Sequence, residues 1–138
     1  MCGVVGAFRQ PDGAELVRVM VDRIPHRGPD AVGVREAGPG DNRAHLGHRR
    51  LSIIDLSAAS DQPFVKDGLS LSYNGELYNY PALREELQRA GVRFTTSSDT
   101  EVVLEAWRAW GPACLERFRG MFAFAIHDAR TGGCRSST

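Results

Sequence analysis

Charge of one sign, paired cysteines and long apolar runs are all missing from this sequence. Its 138 residues carry 17 Lys plus Arg against 17 Asp plus Glu, a net charge of zero. Such a balance provides no field to attract nucleic acid or an anionic membrane. No apolar run approaches the ~20 residues that cross a bilayer. The N-terminus has no basic segment, and Arg9 and Asp12 interrupt its only apolar stretch. A secretory leader is therefore not expected, and a cytoplasmic location is. Cys2, Cys114 and Cys134 stand far apart with no C-x-x-C pair, which argues against a disulfide framework or a zinc knuckle. Cys114 reads as a small buried hydrophobe, and Cys134 as a residue without a role. His26, His45 and His48 have no ligand spacing, and His45 and His48 fall on opposite faces of a strand, so no metal is expected. A glycine-rich phosphate loop is also lacking, since Gly132-Gly133 alone is too little.

What is present reads as one globular domain. Hydrophobic residues make up 42% and charged residues 25%, as in soluble proteins generally, and a chain of this length buries a sizeable core unaided. Gly3 to Phe8 is an apolar run expected as a buried strand. Pro11-Asp12-Gly13 turns the chain. Leu16, Val17, Met20, Val21 and Ile24 then recur at helical spacing up to Pro25, with Asp12 and Glu15 fitting a capping box. Ala31 to Arg35 and Ala44 to Ile54 read as strands around a turn at Gly38 to Asn42. Leu69, Leu71 and Tyr73 alternate with serines and run into Asn74-Gly75, a favoured hairpin-turn dipeptide. Helices are predicted for Pro81 to Ala90, stopped by Gly91, and from Ser98 onward. There Ser98 and Glu101 fit a second capping box, and Val102, Val103, Ala106 and Trp110 make an apolar face. A helical turn at Pro112 to Phe118 leads to a strand at Met121 to Ile126. The domain is placed at residues 1–130, with 131–138 as a disordered tail. Strands and helices segregate along the chain, which predicts an α+β fold with antiparallel sheets.

The second position carries the most specific chemistry. Removal of Met1, favoured by a small second residue, would leave Cys2 with a thiol and an α-amine together. An α-amine has a reference pKa near ~8, suited to a general base at neutral pH. One residue then supplies nucleophile and base, as in N-terminal nucleophiles. Read alone, a second-position cysteine is more often an ordinary buried residue beside a strand.

Six strings decide between the two. They are MCGVVGAF from Met1, HRGPD from His26, GHRRLSIIDL from Gly47, YNGELYNY from Tyr73, SDTEVVLEAW from Ser98 and RGMFAFAIHD from Arg119. In this order and spacing the chain resembles the class II glutamine amidotransferase domain of asparagine synthetases, from Met1 to about Asp128. The resemblance implies the N-terminal nucleophile hydrolase fold, a four-layer αββα sandwich of antiparallel sheets.

It also implies site roles. Cys2 would be the nucleophile and, after Met1 removal, its α-amine the base. Arg50 would fork onto the α-carboxylate of glutamine. Asp99, with Glu76 beside it, would take the α-ammonium, and backbone groups of Leu51 and Ile53 would line the substrate. The Asn74 side-chain amide and the Gly75 N–H would form the oxyanion hole, a glycine letting the backbone approach closely. Each residue also has a plain structural reading. Arg50 fits a surface pair with Arg49, Asp99 a helix first turn, and Asn74-Gly75 a hairpin. Arg27 to Asp30 would shape a loop near the pocket.

By the same resemblance, Cys2 hydrolyses L-glutamine to glutamate and ammonia. The ammonia would serve ATP-dependent amidation of aspartate in a synthetase (ATP pyrophosphatase) domain or protein, where ATP and Mg2+ belong. No cofactor is expected in this domain, nor nucleic acid or membrane as a partner, and a homodimer is compatible with the reading. The family's Ser-Gly-Gly-Leu-Asp-Ser string and its Asp-Arg-x-Gly-x-x-Pro-Leu segment do not occur here, which suggests a C-terminally truncated domain. The alternative is a non-catalytic remnant that keeps the fold and binds glutamine or a synthetase partner. His127, where the family often has an aromatic, reads as a surface residue at a strand end.

Overall fold

Alternating and continuous apolar runs become seven strands among the residues described by the computed structural model, which are 2–51, 61–131 and 133–137. The strands are β1 (Gly3–Phe8), β2 (Ala31–Ala37), β3 (Ala44–Arg50), β4 (Phe64–Lys66), β5 (Leu69–Leu77), β6 (Gly120–Asp128) and β7 (Gly133–Ser137). The helices are α1 (Gly13–Asp22), α2 (Tyr80–Arg89) and α3 (Asp99–Trp110). The strands form two antiparallel sheets, ordered β1-β3-β2 and β4-β5-β6-β7. No helix among the described residues is long and apolar enough to cross a membrane.

The hydrophobic periodicity explains the layers. In α1, Val17 and Val21 point inward and are fully buried with Ala7 of β1. A Cβ on Gly47 of β3 would lie within 2.8 Å of Val5, Val17 and Val21 side-chain carbons. A glycine there thus lets α1 close onto the first sheet. On β5, Leu69, Leu71, Tyr73 and Leu77 face Leu83 and Leu87 of α2 and Val102, Val103 and Ala106 of α3, forming the main core. The opposite faces of the two sheets meet. Ser72 Oγ donates to Gly47 O at 3.1 Å, and His48 Nε2 donates to Tyr73 O at 2.9 Å. The order is α1, first sheet, second sheet, then α2 and α3, the αββα sandwich.

Four local expectations need correction. Asn74-Gly75 is not a turn, because β5 continues through it, pairing Asn74 with Ala123 and Gly75 with Phe122. The hairpin dipeptide is Asp67-Gly68, both at positive φ (47° and 83°), joining the short β4 to β5, as a two-residue turn requires. Neither capping box closes. Asp12 makes no side-chain cap bond, and Ser98 caps α3 through Thr100 N while Glu101 turns elsewhere. The tail is not disordered throughout, since Gly133–Ser137 add β7 to the edge of β6. The open ladder of β6 offers partners to a segment with no proline to prevent pairing. Finally, His127 is fully buried rather than superficial. Its ring abuts Gly38, where a Cβ would lie 2.6 Å away, and Nε2 meets Asn42 O at 3.1 Å.

Candidate active site

Cys2 stands at the head of β1, where Gly3 pairs with Arg49. Continued by one residue, that register sets Cys2 against Arg50. The half-buried thiol meets the next residue, Leu51: Leu51 N donates to Sγ at 3.2 Å, and Leu51 O lies 3.5 Å from the sulfur. The HRGPD loop fixes this corner from outside. A Cβ on Gly28 would fall 2.5–2.6 Å from backbone atoms of Arg49 and Arg50, and one on Gly3 would fall 2.5 Å from Ile24 Cδ1. Backbone cannot yield at such distances, so Gly28 lets the loop lie directly on the end of β3. Asp30 N then donates to Arg50 O at 3.0 Å. The loop expected to shape the pocket thus lies against Cys2's neighbour and Arg50.

The two adjacent arginines diverge, as alternate strand positions must. Arg49 reaches α1, donating to Val21 O at 3.2 Å. Arg50 is 7% exposed and bonds through Nη1 to Asp61 Oδ1 at 2.5 Å. The cation expected to meet a substrate carboxylate therefore already meets a carboxylate of its own chain.

Asn74, Gly75 and Glu76 lie in sequence on β5. Asn74 is half-buried; Gly75 and Glu76 are exposed. Alternation puts Asn74 on the same face as Ser72, whose hydroxyl bonds the first sheet. Gly75 has a reason that its sequence did not reveal. A Cβ there would lie 2.4 Å from Met121 O and 2.5 Å from Phe122 Cα, so the close approach it permits is that of β6.

Asp99 opens α3 and is 5% exposed. Its Oδ2 accepts from Tyr73 Oη at 3.0 Å and from Leu77 N at 3.1 Å. Burial pushes its carboxyl above the ordinary range, and these two donors oppose that rise. Its neighbour Glu101 holds the preceding loop instead of capping the helix. Glu101 accepts from the backbone and hydroxyl groups of both Thr95 and Thr96, and from Lys66 Nζ at 2.7 Å. Burial would raise the Glu101 carboxyl, but Lys66 and these donors outweigh it and hold it at about 2.

Tyr73 links the parts, and the sequence reading did not single it out. Its N donates to Gln62 Oε1 at 2.5 Å, its O accepts from His48 Nε2, and its hydroxyl donates to Asp99 Oδ2. Burial pushes its phenol far up, followed by the negative charges of Asp99, then Glu76 and Cys2. Of the expected site residues, Asp99 is the one bonded to this phenol. The available signal was that a tyrosine on the buried face of a strand needs a partner for its hydroxyl. Ile53 lies outside the described residues.

A profile of the glutamine amidotransferase domain matches residues 1–135. The chain belongs to this family. The amidotransferase chain is similar to asparagine synthetase [glutamine-hydrolyzing] 1 of Bacillus subtilis, 41% identical over 91% of this chain and 20% of that protein. It is similar to asparagine synthetase B of Escherichia coli K12, 39% identical over 94% of this chain and 23% of that protein. It therefore spans about a fifth of the length of these relatives. Among solved structures, glutamine phosphoribosylpyrophosphate amidotransferase of B. subtilis aligns with a TM-score of 0.78 at 22% identity, over 94% of this chain and 35% of that one. That likeness shows a shared fold, the αββα sandwich.

Proposed function

We propose that this amidotransferase chain hydrolyses L-glutamine, with Cys2 as the nucleophile. The observation that carries the reading is a family match from residue 1, together with a thiol at the head of β1 that receives the Leu51 N–H. With Met1 removed, the Cys2 amine takes the thiol proton and the sulfur attacks the side-chain amide carbon. The Asn74 amide and Gly75 N–H receive the oxyanion. The C–N bond breaks, and ammonia leaves with the proton from the amine. Water then cleaves the γ-glutamyl thioester, giving glutamate and the thiol again. Arg50 and Leu51 hold the α-carboxylate side of the substrate, and Ile53 extends that contact. Asp99 and Glu76 hold its ammonium.

The likeness to proteins named asparagine synthetase supports a destination for the ammonia. It would pass to a synthetase domain or protein that uses ATP and Mg2+ to amidate aspartate, with none of those groups required in the glutaminase step. A second reading, a fold that binds glutamine or a synthetase partner without turning glutamine over, draws on the Arg50–Asp61 pair, in which the cation proposed for the substrate carboxylate already bonds a carboxylate of the chain.

One assay separates the two. Mass spectrometry establishes whether Met1 is removed, and glutamate release is measured for the protein and for Cys2→Ala. Loss of at least about a thousandfold in rate is expected for Cys2→Ala, as for other removed nucleophiles. A folded protein with Cys2 at its N-terminus and no glutamate release refutes the catalytic reading.

A further inference from the structure

We infer that Tyr73 is a positioning residue: its hydroxyl holds Asp99 as the receptor for the substrate's α-ammonium. The inference rests on the proposed role of Asp99 and adds the group that makes that role workable. A carboxylate buried to 5% exposure is driven towards its neutral form, which attracts no cation. Two donors counter that drive at the same oxygen, the Leu77 N–H and the Tyr73 hydroxyl. The backbone donor is fixed by the strand end. The phenol is the part that side-chain chemistry supplies, and it is a donor at every working pH because burial and the Asp99 charge keep its proton on.

The phenol is itself held in place. Tyr73 is 2% exposed within the core between β5 and α3. Its backbone is tied on both sides, to Gln62 and to His48. The hydroxyl therefore cannot swing away, and Asp99 Oδ2 is anchored while the carboxylate remains aimed from the first turn of α3. Among the titratable groups of the described residues, His48 of β3 bonds the Tyr73 carbonyl. Glu76 of β5 and the Cys2 thiol act on the phenol. On α3 itself, Glu101 turns away to Thr95, Thr96 and Lys66.

The test compares two ligands that differ only in the ammonium: glutamine, and glutaramic acid, which lacks it. Dissociation constants are measured by calorimetry across pH 4 to 8 on the full chain carrying Cys2→Ala, so that no turnover intervenes. Tyr73→Phe keeps the ring and removes the donor. The expected result is about tenfold weaker glutamine binding, the value of one hydrogen bond to a charged group, with glutaramic acid unchanged. The acid limb of glutamine binding should also move to higher pH, because Asp99 loses a donor that favours its anion. Replacing Tyr73 with 3-fluorotyrosine, a stronger donor of nearly the same size, should move that limb the other way, and it serves as the second variant should Tyr73→Phe fail to fold. Equal weakening of both ligands, with no movement of the acid limb, would overturn the inference and leave Tyr73 a packing residue. Asp99→Asn separates the two layers. If it leaves the ratio of the two affinities intact, Asp99 does not read the ammonium at all. If it collapses the ratio while Tyr73→Phe does not, only the role of Tyr73 fails.

Discussion

Arg50 is nine-tenths buried at its side chain, and its partner Asp61 is about half exposed (9% and 47%). That asymmetry matters for recognition. A guanidinium buried at the end of β3 has little freedom, whereas an exposed carboxylate is easily turned aside. On the role proposed for Arg50, Asp61 is a placeholder that a substrate carboxylate must compete with. An ion pair with one exposed member is worth at most about 1 kcal/mol. Asp61→Asn should therefore tighten glutamine binding by up to about fivefold, measured as a dissociation constant in the Cys2→Ala protein. A weaker affinity in that variant would instead make Asp61 a support that orients Arg50.

At the scale of elements, β5 does most of the positioning. One face carries Leu69, Leu71, Tyr73 and Leu77 into the helical core; the other carries Ser72 and Asn74 towards the first sheet. A single strand thus presents the Tyr73 hydroxyl to α3 and the Asn74 amide to the inter-sheet side. Its spacing from β6 depends on Gly75, where an added methyl would meet the backbone of Met121 and Phe122 at 2.4–2.5 Å. Because backbone must move, Gly75→Ala should cost about 1–3 kcal/mol, the usual cost of overpacking. Urea denaturation would register it as a lower midpoint with an unchanged slope. An unaffected midpoint would mean that β5 and β6 can separate without loss. The start of α3 is a second positioning element. Its Ser98 cap and the Glu101 anchor on Thr95 and Thr96 settle where Asp99 emerges.

At the scale of the whole molecule, polar contacts join the two sheets, and His48 makes one of them. Since a carbonyl only accepts, Nε2 carries the proton given to Tyr73 O, and Nδ1 is buried without a hydrogen-bond partner among the described residues. Burial, the largest cause, drives the ring down to about 4; the bond to Tyr73 opposes it and Arg50 assists it. The unfolded chain, near ~6.5, binds this proton first. The neutral ring therefore contributes stability above that value, and the contribution is lost as pH falls from about 6.5 to about 4. His48→Gln keeps an N–H donor and cannot gain a charge. Relative to it, the wild type should lose about 1.4 kcal/mol per pH unit through that window, about 3 kcal/mol in all, seen in unfolding free energies. Asp99, raised by burial, works in the opposite sense near the bottom of the window, and the comparison of the two proteins cancels it. A constant difference between them across this range would show that His48 titrates normally.

The sequence by itself determined the class of fold and the identity of the candidate residues. Periodicity located β1, α1, α2 and α3 because burial of one face is written in local spacing. The six strings identified Cys2, Arg50, Asn74, Gly75 and Asp99 because a motif preserves residue type at fixed separations. Only the tertiary structure decided what those residues meet. Asn74-Gly75 has the local signature of a turn, yet a pairing strand from residues 120–128 keeps it extended, and that partner lies far away along the chain. Glu101 has the spacing of a capping box, yet Lys66 and two threonines offer it more donors than the helix end does. His127 looks superficial until the 38–42 loop covers it. The Tyr73 hydroxyl called for a partner, but only the fold shows that the partner is Asp99. Each of these is set by contacts distant in sequence, whose energies no local pattern contains.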